Sequence, residues 1–111
     1  MPKGYVIITE DIKDPAKMAE YGKLASQAMG GATLLSFGPA VETLEGEWHG
    51  TQTVVLEFES VDAAKEWYYS DAYQEAAKIR QSAADCNGVI VSGLSRPQLA
   101  LKGAPVAKPQ A

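Results

Sequence analysis

The chain has 111 residues, 46% hydrophobic and 22% charged, with a net charge of −4; this size and balance give one globular domain with one modest core. The charge is uneven, −7 over residues 1–94 and +3 over 95–111, and a body this acidic repels phosphate backbones and argues against a nucleic-acid partner. No stretch approaches the roughly 20 apolar residues that span a bilayer, the N-terminal MPKGYVIITED lacks the pattern of a cleaved leader, and the single Cys86 can form no internal disulfide, so the sequence predicts a cytoplasmic protein with no membrane partner.

Tyr5 to Thr9 is apolar and β-branched and predicts a first strand, bounded by Gly4 and the acidic pair Glu10-Asp11. Asp14-Pro15 starts a helix: the aspartate can cap free N–H groups and proline fits the first helical position. Met18, Tyr21, Leu24, Ala25 and Ala28 share one helical face, and Gly30-Gly31 ends the segment. A short second strand runs from Ala32 to Phe37, is interrupted by Gly38-Pro39, and is expected to continue from Val41 to Leu44 before a turn at Glu45-Gly46-Glu47. The third strand spans about Gln52 to Phe58, with Val54, Leu56 and Phe58 on one face and Thr53, Val55 and Glu57 on the other. Ser60 can cap the next helix, whose buried stripe is Ala63, Ala64, Trp67 and Tyr68. Ser70-Asp71 breaks and restarts it, and Tyr73, Ala76, Ala77 and Arg80 then share a face. Asn87-Gly88 precedes a last strand, Val89 to Leu94. Residues 1–94 thus form the domain, and residues 95–111 read as a Pro/Ala-rich tail that either crosses a partner subunit or stays solvated.

The order βαββαβ specifies an α+β, ferredoxin-like fold: an antiparallel sheet with its helices on one face. The other face stays open, yet each strand offers apolar residues on both sides, Tyr5 and Ile7 against Val6 and Ile8 among them. An exposed apolar face predicts association, and two such sheets packed face to face make a dimeric α/β barrel.

Gly4-Tyr5, Glu20-Tyr21, Gly31, Glu42, Leu44-Glu45-Gly46-Glu47-Trp48, Glu57-Phe58 with Ser60, Ala63-Ala64, Trp67-Tyr68, Ser70 with Tyr73, and Arg80 together form a specific combination. On these residues the chain resembles the family catalogued as domain of unknown function 1330, in the dimeric α/β-barrel superfamily, over about residues 3–94. The resemblance implies a homodimer and implies no reaction. The family pattern often carries an arginine in the second strand and basic residues entering the third; this chain has Phe37, Thr51 and Gln52 there, which leaves Arg80 as the cation in a pocket position.

Candidate chemistry is sparse. His49, the one histidine, has the side chain for general base catalysis near neutral pH, but it sits in a polar turn without an evident partner. Glu57 is better placed, because it points to the open face if Val54, Leu56 and Phe58 pack under the helices; a desolvated carboxylate there could serve as acid or base. Glu42, on the expected neighbouring strand, is a lesser candidate. Against all three stands a plain structural role in a hydrogen bond or ion pair. Tyr21, Trp67 and Tyr73, with Arg80, supply aromatic and cationic surface for a ligand, although their spacing also suits core packing. Asp85 beside Cys86 opposes thiolate formation. The histidine and cysteine counts offer no metal site, and no glycine-rich phosphate loop supports a nucleotide cofactor.

The sequence therefore predicts a small cytoplasmic homodimer that binds a small molecule between sheet and helices, without cofactor or metal. The alternative is a cofactor-free enzyme, monooxygenase- or isomerase-like, that uses a buried glutamate as acid or base.

Overall fold

The computed structural model describes residues 2–95; the expected tail from Arg96 onward lies outside them. Seven elements follow in order: β1 (Gly4–Ile12), α1 (Pro15–Gln27), β2 (Thr33–Gly38), β3 (Gln52–Phe58), α2 (Val61–Tyr69), α3 (Asp71–Ala83) and β4 (Ala84–Ser92). The strands form one antiparallel sheet in the order β2-β3-β1-β4. This is the ferredoxin-like arrangement, with the second helix divided in two. None of the described helices is long and apolar enough to cross a membrane.

Local chemistry sets the helix boundaries. The Asp14 side chain accepts from the Lys17 amide at 3.1 Å, ahead of Pro15. Ser60 accepts from the Ala63 amide at 3.0 Å and starts α2. Ser70 works on both sides of a break: its hydroxyl donates to Trp67 O at 2.7 Å and accepts from the Tyr73 amide at 3.2 Å. One serine thus ends α2 and starts α3, which satisfies terminal groups that a helix leaves free.

Register decides which side chains meet the helices. Paired residues of antiparallel strands point the same way, so Val6 with Leu56 and Ile90, and Ile8 with Val54, form the covered face. Val6, Ile8, Leu56 and Phe58 are buried there beneath Ala64, Trp67, Tyr73, Ala76 and Ala77. The rings of Trp67 and Tyr73 lie 4.0 Å apart, and those of Trp67 and Phe58 5.2 Å apart. Trp67 Nε1 donates to Ala28 O at 2.8 Å, so the end of α1 hangs on the core tryptophan.

Five expectations need correction. Val41 to Leu44 forms no strand, and Val41 and Leu44 are fully or largely exposed. Gly38 ends β2 at φ 149°, and Pro39 has no N–H to continue a ladder. Glu42, placed on that strand by the sequence, is an exposed loop residue. β1 continues past Thr9 to Ile12, β4 begins at Ala84 and includes Asn87-Gly88, and α1 stops at Gln27, ahead of Gly30-Gly31.

Replacing Trp67 with Ala should destabilise the domain by roughly 3–5 kcal/mol in urea melts, as for other large buried aromatics. A loss below about 1 kcal/mol would place Trp67 outside the core.

Candidate functional site

Helix α1 leans on α3 rather than on the sheet. It faces the strands with small residues, Ala19, Gly22, Ala25 and Ser26, and a cavity of about 600 Å³ remains beneath it. Met18 of α1, Met29 just past its end, Ile8 of β1, Val54 and Leu56 of β3, Leu34 and Phe37 of β2, and Trp67 make its wall apolar. Pockets of this kind, apolar with few polar groups, are the usual form of a small-molecule site.

The polar end of this cavity is Glu10, which is 2% exposed. It follows Val6 and Ile8 on the covered face of β1, paired with Gln52 of β3 and Cys86 of β4. Gln52 Nε2 donates to Glu10 Oε1 at 2.7 Å. Burial pushes the Glu10 carboxyl above the ordinary carboxylate range, while the Gln52 hydrogen bond and the Arg80 charge pull it partly back. Its backbone is clamped as well. The Thr51 amide donates to Glu10 O at 2.8 Å, and Gly50, at φ 86°, lies so close that a Cβ there would stand 2.6 Å from the same oxygen. Only glycine accepts both that torsion and that approach.

Above this row sit Tyr21 of α1 and Tyr73 and Arg80 of α3. The two phenol oxygens are 2.8 Å apart, and the rings meet edge to face at 6.4 Å. Burial, and then the Tyr73 hydroxyl, push the Tyr21 pKa up, so it stays a neutral hydroxyl. Arg80 is 4% exposed, with its guanidinium carbon 6.0 Å from the Tyr21 ring centroid. Its Nε has no hydrogen-bond partner among the described residues.

Of the sequence candidates, Tyr21, Tyr73 and Arg80 come together, and Tyr21 and Trp67 line the cavity. Glu57 lies on the opposite, open face, where Tyr5 donates to its carboxylate at 3.0 Å. His49 also lies on that side, but it is not without partners: its Nδ1 is 2.6 Å from Thr9 Oγ1 and its Nε2 is 3.5 Å from Asp85 Oδ2. Glu42, Glu57 and His49 are thus absent from the cavity lining. Sequence reasoning missed Glu10 and Gln52. The signal was available in the alternation Val6, Ile8, Glu10, which puts the acid on the apolar face once the strand is extended. Among the described residues no group of three or more His, Cys, Asp or Glu side chains could hold a metal ion.

A carboxyl with a raised folded pKa binds its proton more tightly in the fold than in the unfolded chain. Its contribution is therefore fullest at low pH and is lost as pH climbs from the ordinary value of 4.5 through the raised one. The stability of the wild type relative to Glu10→Gln should fall over that window in urea melts. A flat or rising difference would mean that Arg80 and Gln52 outweigh burial.

The fold has counterparts among solved structures. A protein of unknown function from Rhodopseudomonas palustris is 20% identical, with TM-score 0.65 over 85% of this chain and 84% of its own. A dimeric ferredoxin-like protein of unknown function from Thermobifida fusca is 14% identical, with TM-score 0.57 over 82% and 91%. A cofactor-independent oxygenase from Streptomyces nogalater is 10% identical, with TM-score 0.59 over 86% and 96%. At these identities the likeness is one of fold. No curated protein matches the chain. The profile of the domain of unknown function family DUF1330 matches residues 3–94, and with most of its length covered the chain belongs to that family.

Proposed function

We propose that the protein binds a small organic molecule in the cavity between α1 and the sheet, and does so as a homodimer. The ligand class follows from the lining: an apolar body of modest size with one hydrogen-bonding group directed at Glu10 and Gln52. The observation that carries this reading is the buried carboxyl of Glu10 at the edge of an apolar cavity. A desolvated acid is costly to a fold, and a ligand hydroxyl or amide would give it a further partner.

The dimer reading rests on the open face. Ile7, Val55 and Val91 share that face with Tyr5 and Glu57 by register, and Val91 is 41% exposed. The Thermobifida fusca protein of similar fold is described as dimeric. Burial on the order of 2,000 Å² would suit an obligate pair.

A second reading is a cofactor-free enzyme. A carboxyl whose proton is held toward neutral pH is suited to give and take protons, and the Streptomyces nogalater relative in fold is named an oxygenase. Glu10 replaces Glu57 and Glu42 as the residue for that role. Binding with turnover would distinguish this reading from binding alone.

Gly22→Leu separates the cavity from the fold. Gly22 lines the cavity, and a Cβ there meets nothing within 4 Å. In a helix interior the change should stabilise by about 0.8 kcal/mol or more, while the leucine fills the space. Naphthol should quench Trp67 fluorescence in the wild type and bind at least about tenfold more weakly to the variant. Equal affinity in both would put the site elsewhere.

For the dimer, light scattering should give twice the chain mass, and Val91→Asp should shift it to the monomer while the helical signal remains. A wild-type monomer at micromolar concentration would contradict the pairing.

A further inference from the structure

We propose that the cleft between α3 and β4 is a second binding site, separate from the α1 cavity, which holds a carboxylate on a short apolar body against Arg80. This cleft encloses about 440 Å³. Val6, Ile8 and Ile90 supply its apolar floor, and Tyr68 supplies aromatic surface beside Arg80 and Cys86.

Arg80 brings a fixed positive charge to this cleft. Guanidinium stays protonated at any working pH, and here it is withdrawn from water, with 4% of its surface exposed. Among the described residues no carboxylate lies within 4 Å of it, and its buried Nε has no hydrogen-bond partner. Its contact with the Tyr21 ring, at 6.0 Å, is at the outer limit for a cation over an aromatic face. Glu10 feels its field from beyond ion-pair distance. A cation taken from water without a carboxylate in ion-pair contact is an expensive arrangement, and arginine is the side chain whose planar fork matches a carboxylate.

The position suits an entering ligand. Strand β4 is at the edge of the sheet, so the cleft opens beside it. Gly88 stands in the register row next to Ile8, and the missing side chain leaves the floor low at that point. A Cβ at Gly88 would meet Ile8 Cγ1 at 3.6 Å, an ordinary contact. A larger side chain there is compatible with the strand and extends into the cleft.

The test uses benzoate, with benzamide as the isosteric neutral control and inorganic phosphate as the anion without an apolar body. Amide shifts would be followed by NMR in the full chain. Benzoate should perturb Arg80, Cys86, Gly88 and Ile90 with a dissociation constant of about 1 mM or tighter. Benzamide and phosphate should bind at least about tenfold more weakly. Arg80→Met should abolish the response. Gly88→Val, which keeps the arginine and occupies the floor, should weaken it at least about tenfold without lowering the melting temperature. No benzoate response in the wild type, equal binding of benzamide or phosphate, shifts confined to Met18, Met29 and Phe37 of the other cavity, or unchanged affinity in Gly88→Val would each overturn the proposal.

Discussion

A carboxyl in the apolar layer between sheet and helices is the constraint around which this domain is arranged. Glu10 continues the row of Val6 and Ile8, so it cannot turn to solvent without breaking the register of the central strand. The surroundings answer that burial at several points. Gln52 hydrogen-bonds the carboxylate, Arg80 supplies charge from α3, and the Gly50-Thr51 corner grips the backbone. Small residues on α1 leave space beside the acid instead of packing it over. Tight packing of that wall would strand an acid in the core; open space beside it makes a candidate site.

The two faces of the sheet divide the work. On the helix side, Trp67 joins α2 to the end of α1 and stacks near Tyr73, so the cavity wall and the hydrophobic core share one side chain. On the open side, the loop from Pro39 to Thr51 returns to the sheet through side chains. Trp48 Nε1 donates to Thr53 Oγ1 at 2.9 Å, and His49 lies between Thr9 and Asp85. These contacts fix the loop at the end of the sheet where Glu10 lies on the opposite face, so the corner that clamps Glu10 is itself pinned down. Mechanical support for the candidate site thus comes from the opposite face.

Much of the architecture was legible because it is decided within a few residues. Asp14-Pro15, Ser60 and Ser70 each satisfy neighbouring amides, and helical spacing alone brings Tyr73 to within a turn or two of Arg80. What was hidden depends on partners distant in sequence. Glu10-Asp11 looks like the polar end of a strand, and only pairing with Gln52 and Cys86 shows that the strand runs on and buries the first of the two acids. His49 looked partnerless because Thr9 and Asp85 are 40 and 36 positions away. The stretch Val41 to Leu44 has strand composition, but Gly38-Pro39 releases it from the sheet, and propensity without a neighbouring ladder makes no strand.

Glu10 is a desolvated acid beside a cavity of ligand size. Carbon NMR of its side-chain carboxyl, followed through a pH titration with and without saturating naphthol, tests this directly. The account predicts a midpoint above the ordinary 4.5 in the free protein and a further change when naphthol fills the cavity. A midpoint at or below 4.5 that naphthol leaves unmoved would contradict it.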